Sequence, residues 1–160
     1  GACLSPMNAF QILQGIETLG LRMERHVANA REIVQRLLGH PQVENIAWPD
    51  LDGHPDQALA GRLLPKGCGG VVSFRLKGGR PAGRAFIGAL RLFSHLANVG
   101  DAKSLALHPA STTHFRMTPE ALAAAGIGEG TIRLSVGLES VSDLLDDVDR
   151  GLHAAQKATG

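Results

Sequence analysis

One arginine poses the sharpest chemical question in this sequence. Arg133 falls in a stretch, 131–138, where Ile132, Leu134, Val136 and Leu138 share one side of a period-two alternation. Arg133, Ser135 and Gly137 share the other side. A planar guanidinium meets a carboxylate through two parallel hydrogen bonds, so an arginine held in a strand is suited to clamp an α-carboxylate. Alternation alone favours the simpler assignment, a cation on the solvent face of a one-sided sheet. His95, His108 and His114 form a candidate zinc set, but no HExxH or CxxC spacing accompanies them, and structural or solvent-facing histidines are favoured. Gly126-Ile127-Gly128-Glu129-Gly130 resembles a phosphate loop in composition, yet it precedes a strand instead of opening a helix, so it reads as a turn. The glycines of 67–70 fail as a phosphate loop for the same reason. Asp143, Asp146, Asp147 and Asp149 read as the wet face of an amphipathic helix, not as a catalytic carboxylate pair.

These side chains need a scaffold, and the hydrophobic pattern supplies one. Ser5-Pro6 reads as an N-cap with proline at the first helical position. Apolar residues then recur at helical spacing over 7–38, and Gly39-His40-Pro41 supplies the stop. The pattern predicts one long helix, about 50 Å at 1.5 Å per residue, with Gly15 and Gly20 as sites for a bend. Short strands follow at 43–48, 71–76, 95–99, 104–107 and 131–138. Helices are expected at 54–64, near Asp56, at 81–92, at 119–125 with Thr118 as its cap, and at 141–155. Ser140 and Asp143 read as a capping pair for the last of them. This order predicts an α+β fold: a small, mostly antiparallel sheet with helices packed on one face, preceded by a long helix.

Composition narrows the classes of function. A chain of 160 residues is one domain's length and can bury roughly 70% of its unfolded surface. Sixteen Lys and Arg against fifteen Asp and Glu, a net charge of +1, give no electrostatic reason to seek nucleic acid. No apolar run approaches the roughly 18 residues of a membrane span, so no membrane partner is expected. Two cysteines, Cys3 and Cys68, make no disulfide framework, and a cytoplasmic setting is expected. The sequence opens Gly1-Ala2-Cys3 without a signal peptide and reads as a piece of something longer.

Several stretches together resemble one family. They are Leu4-Ser5-Pro6-Met7-Asn8-Ala9, Glu17-Thr18-Leu19-Gly20-Leu21-Arg22-Met23 and His26-Val27-Ala28-Asn29-Ala30. Asn98-Val99-Gly100-Asp101-Ala102-Lys103-Ser104-Leu105, His108-Pro109-Ala110-Ser111-Thr112-Thr113-His114 and Ile132-Arg133-Leu134-Ser135-Val136-Gly137-Leu138-Glu139 complete the series. In this order they are similar to the C-terminal part of the pyridoxal-phosphate-dependent enzymes of cysteine and methionine metabolism. Within that family they are most similar to the O-acetylhomoserine sulfhydrylase (homocysteine synthase) branch.

The resemblance implies the C-terminal domain of a fold type I enzyme, with residues 1–40 a long helix linking to a large cofactor domain and 41–160 the substrate-side domain. It implies that the Schiff-base lysine lies in that large domain, in a Ser-x-Thr-Lys-like context. Lys66, Lys77, Lys103 and Lys157 have other contexts, and the chain has no tyrosine to help hold pyridoxal phosphate. By the same resemblance Arg133 pairs with the α-carboxylate of an amino-acid substrate, which reverses the preference that alternation alone gives. Asn98 stands where many relatives carry a serine beside that carboxylate, and Gly100-Asp101-Ala102 shapes the adjoining loop. The fragment is expected to hold no catalytic, cofactor-binding or metal residue of its own and to be inactive alone. The full-length enzyme is expected to be a transferase and homotetramer that makes homocysteine from O-acetylhomoserine and sulfide. Alternatives are O-succinylhomoserine sulfhydrylase, cystathionine gamma-synthase, methionine gamma-lyase, or a free-standing small-anion-binding regulatory module. An exposed apolar surface is expected on the first helix, where the large domain packs.

Overall fold

A computed structural model describes residues 2–160. The chain begins with helix α1 (Pro6–Glu17), whose N-cap Ser5 accepts from the Asn8 N–H at 3.2 Å, with Pro6 at the first position. Helix α2 (Leu19–Leu37) follows at once. The single long helix expected over 1–40 is therefore two, broken at Thr18, which sits at φ −104° and ψ 5°. The break falls between Gly15 and Gly20, and Arg22 fills it, bonding the Thr18 hydroxyl at 3.3 Å and the Gly15 carbonyl. Gly39, at φ +70°, lies just past α2, where only glycine takes that conformation freely.

Five strands, β1 (Val43–Ala47), β2 (Val71–Leu76), β3 (Ser94–His95), β4 (Leu105–Leu107) and β5 (Thr131–Ser135), form one sheet in the order β1-β2-β5-β4-β3. Only the β3–β4 pair is parallel, so the sheet is mixed but mostly antiparallel. Between the strands lie α3 (Gln57–Leu63), α4 (Gly79–Ala89), the short 3-10 turn Pro109–Ser111 and α5 (Pro119–Ala124). Thr118 caps α5, accepting from the Ala121 N–H at 3.3 Å. The closing helix α6 (Val141–Lys157) has no side-chain cap, because the Ser140 hydroxyl bonds that of Ser142 instead; the expected Ser140–Asp143 pair is not formed.

One hydrophobic core joins the sheet to its helical layer. Val72, Phe74 and Leu76 of β2 and Ile132 and Leu134 of β5 meet Ala30, Ile33, Val34 and Leu37 of α2, Phe86 of α4, and Leu144, Val148 and Leu152 of α6. Phe74 and Phe86 meet edge to face with centroids 5.5 Å apart. Residue alternation then sends Ser73, Arg75, Arg133 and Ser135 to the opposite face of the sheet. In contrast, α1 buries nothing: Met7, Phe10, Leu13 and Ile16 are each more than half exposed, which is the apolar surface expected there. Among the described residues no helix is long and apolar enough to cross a membrane.

His108 ties the sheet to the turn before β5 and is fully buried. Its Nε2 meets the Glu129 carbonyl at 2.7 Å, which can only accept, so Nε2 carries the proton and Nδ1 accepts from the Ser111 hydroxyl at 2.7 Å. Gly83 of α4 lies against the ring, where a Cβ would come within 2.4 Å of Nε2. Burial, aided by Arg80, Arg84 and His95, pushes the His108 pKa below its ordinary value against the opposing pull of the Glu129 carbonyl. The unfolded chain therefore takes up a proton more readily than the folded one. The His108 contribution to stability is complete above about pH 6.5 and is lost progressively as pH falls from there through the lower pKa of the folded state. Thermal melts at about pH 7.5 and about pH 5.5 are expected to show a larger drop in Tm for the wild type than for His108→Gln. Equal drops would contradict the assignment.

Candidate functional site

Strand β5 holds Arg133 in the middle of the sheet, opposite Ser73 of β2 on one side and Leu107 of β4 on the other. Its neighbours Ile132 and Leu134 are fixed in the core, so the guanidinium leaves from the face away from the helices. That side chain is half-buried, and its Nη2 donates to the backbone carbonyl of Asn98 at 3.2 Å. Among the described residues it has no carboxylate partner. Four of its five N–H donors are thus uncommitted to the protein. This is an arginine with capacity to receive an anion.

The 98–104 loop lies beside it. The Asn98 side chain turns back on the loop, with Oδ1 accepting from the Val99 N–H at 2.9 Å, so Asn98 meets Arg133 through its backbone, not its amide. Gly100, at φ +77°, donates its N–H to the Ser135 hydroxyl at 3.2 Å. Asp101 accepts from the Lys103 N–H at 3.1 Å, closing a tight turn. Farther along, Leu138 N–H donates to the Ala102 carbonyl at 2.9 Å. The loop is therefore strapped along β5 and the segment that follows it.

A cleft of about 240 Å³ adjoins this loop, lined by its Val99 and Gly100 together with Met23, His26, Cys68, Gly70, Ser135 and Val136. Its lining is largely apolar, and two of its residues are joined by the Val136 N–H bonding the Gly70 carbonyl at 2.8 Å. The buried His26 bonds the Val136 carbonyl through Nδ1, so that nitrogen donates. Burial, together with the nearby Asp50 carboxylate, pushes the Cys68 thiol pKa up against the weaker opposing effect of Arg31. Cys68 is thus held protonated at neutral pH, which makes it a poor nucleophile. No lysine lines the cleft. With no tyrosine in the chain either, these residues do not form a pyridoxal phosphate cradle by themselves.

Other candidates resolve into structural roles. His95, His108 and His114 do not assemble: among the described residues no group of three His, Cys, Asp or Glu side chains could hold a metal. The 126–130 segment is a turn, with Gly128 packed on the Arg75 side chain and Gly130 on the Leu76 carbonyl, where a Cβ would collide. Asp147 corrects the expectation of a wholly wet acidic face. It is only 1% exposed and accepts from the N–H groups of Arg91, Leu92 and Phe93 at 2.9–3.2 Å, and from Arg150. Sequence reasoning did not single out Asn29, Ser104 and Glu139, which hydrogen-bond around Gly137 at the end of the strap. They lie inside the family-like stretches, and that was the available signal.

A family model described as Cys/Met metabolism PLP-dependent enzyme matches residues 1–153. The chain is 51% identical to an L-methionine gamma-lyase of Pseudomonas putida over 155 residues, covering 97% of this chain and 39% of that one. It is 48% identical to an O-acetyl-L-homoserine sulfhydrylase of Leptospira meyeri, covering 95% of this chain and 35% of that one. Among solved structures it is similar to cystathionine gamma synthase from Xanthomonas oryzae pv. oryzae in complex with cystathionine, with TM-score 0.87 and 47% identity, covering 96% of this chain and 40% of that one. The chain thus spans little more than a third of the length of the curated relatives it matches.

Proposed function

The chain belongs to the Cys/Met-metabolism PLP-dependent enzymes, and from that premise we propose that it is the substrate-carboxylate side of a longer enzyme that makes homocysteine from O-acetylhomoserine and sulfide. The observation that carries this reading is Arg133: a mid-sheet guanidinium, on the face away from the core, with uncommitted donors and no carboxylate partner among the described residues. A planar fork in that position takes the two oxygens of an α-carboxylate side by side, which fixes the rotation of the amino acid as well as its place. The Asn98 carbonyl holds the guanidinium on one edge and leaves the rest of the fork for the ligand. Pyridoxal phosphate, held by residues outside this chain, supplies the electron sink that stabilises charge at Cα and Cβ while the group on Cγ is exchanged. What this chain contributes is orientation, together with the apolar cleft beside the loop, which sheds water from that side.

The exposed apolar residues of α1 are the surface on which the cofactor-bearing part packs in this reading, and the full-length protein is a homo-oligomer. A methionine gamma-lyase is the second reading, favoured by the 51% identity to such an enzyme and by the apolar lining of the cleft, which suits a thioether. Full-length protein supplied with O-acetyl-L-homoserine and sulfide is expected to release homocysteine. Release of methanethiol from L-methionine, with no homocysteine formed, would replace the first reading by the second. The isolated chain is expected to show no lysine-linked cofactor after reduction with borohydride; a pyridoxyl-lysine within it would overturn the division of labour.

A further inference from the structure

Two of the segments around Arg133 end on a single carboxylate. Glu139, just beyond β5, turns back to the loop: its Oε1 accepts from the Ser104 N–H at 2.7 Å and its Oε2 from the Ser104 hydroxyl at 2.8 Å. That hydroxyl also accepts from the Gly137 N–H at 2.7 Å, so its donor and one acceptor site are both used. From the other side Asn29 donates to the carbonyls of Gly137 and Glu139, each at 3.0 Å. Ser104 and Asn29 are buried, where water competes little for these bonds. Gly137 has to be glycine here: a Cβ would lie 2.4 Å from Glu139 Oε2 and 2.5 Å from the Ala102 carbonyl, displacing the carboxylate or the loop.

Among the described residues, neither Glu139 nor Ser104 hydrogen-bonds to Arg133. Their influence runs through the loop, whose far end supplies the Asn98 carbonyl that holds the guanidinium. Residues 98–103 are all exposed, so packing does not fix them. Polar ties do, and the bonds made by Glu139 are charge-assisted, the stronger kind. We propose that Glu139 is a positioning residue for the carboxylate clamp: by binding both polar groups of Ser104 it sets the 98–104 loop against β5 and so aims Arg133. This role rests on the function proposed above, in which Arg133 receives the α-carboxylate.

The test uses the full-length holoenzyme carrying Glu139→Gln, Glu139→Ala or Arg133→Ala. Three things are read: the Kd of the non-reacting amino acid L-norleucine by calorimetry, KM and kcat for the amino-acid substrate and KM for sulfide, and cofactor content by absorbance. Glutamine keeps one acceptor for Ser104 and loses the other, so a rise of about tenfold in Kd and amino-acid KM is expected, and about a hundredfold for alanine. For the Glu139 variants the KM for sulfide and the cofactor content are expected to stay within about twofold of wild type. A merely structural role would lower kcat or cofactor content with Kd unmoved, and that pattern overturns the proposal. So does a Glu139→Gln Kd equal to wild type while Arg133→Ala weakens binding, a result that leaves the clamp itself intact. If Glu139→Ala does not fold, Glu139→Gln alone decides. An Arg133→Ala Kd equal to wild type defeats the clamp, and the positioning role falls with it.

Discussion

Replacing Arg133 by alanine in the full-length enzyme is expected to lower kcat/KM for the amino-acid substrate by about 10²–10⁴-fold. The size follows from what the substitution leaves behind. Truncating one partner of a desolvated, hydrogen-bonded charge pair typically costs about 2–5 kcal/mol, because the other charge loses its only counterion. Ser73 and Leu107, directly opposite on the flanking strands, carry no charge that could replace it. Arg133→Lys keeps the charge but not the planar fork, so it is expected to fall between alanine and wild type. Steady-state kinetics check both variants. Unchanged kcat/KM for Arg133→Ala would remove this residue from the site.

The second large effect concerns stability. Asp147→Ala is expected to destabilise the fold by about 3 kcal/mol, about 1 for each backbone N–H left without its acceptor, read as a fall in the midpoint of urea unfolding. The Asp147 carboxylate is buried between α6 and the segment after α4, where it accepts from three successive backbone N–H groups, those of Arg91, Leu92 and Phe93. Alanine would leave those donors without a partner and Arg150 without its ion pair. Asp147→Asn retains one oxygen but presents an NH₂ to a donor, so a smaller but clear loss is expected. A change below about 1 kcal/mol for the alanine variant would mean that the N–H groups find other partners. The α4–α6 pair backs β2 and β5, so this anchor supports the strand that carries Arg133.

Asp147 also shows where sequence reading stops. Helical spacing sorted Leu144, Val148 and Leu152 onto the core side of α6 correctly. It counted Asp147 with the wet residues because periodicity considers one helix at a time, and the amides that enclose this carboxylate come from 54–56 residues away. The Ser140 cap failed for a local reason, since Ser142 offered its hydroxyl a competing partner. The apolar pattern carried one helix through Thr18 and only Gly15 and Gly20 marked the bend, because both sides of the break are exposed and packing does not decide there. The parallel β3–β4 pair depends on a loop closing back on the sheet, which no alternation records. The elements nearest the site were the most legible: β2 and β5 alternate cleanly, and their register puts Arg133 where period two says it should be. What alternation could not supply was the choice between solvent cation and clamp. The clamp stays a proposal, supported by the donors of Arg133 that are uncommitted among the described residues and by its tie to the Asn98 carbonyl, a long-range contact.

The central claim is that Arg133 reads an α-carboxylate, and one thermodynamic cycle tests it most directly. The full-length holoenzyme and its Arg133→Ala variant are each titrated with L-norleucine and with L-norleucinamide, which differ in the carboxylate alone. The wild type is expected to prefer the acid by about a hundredfold or more, and the variant to bind the two nearly alike, a coupling of about 3 kcal/mol. The same preference for the acid in both proteins would contradict the account, because another group would then be holding the carboxylate.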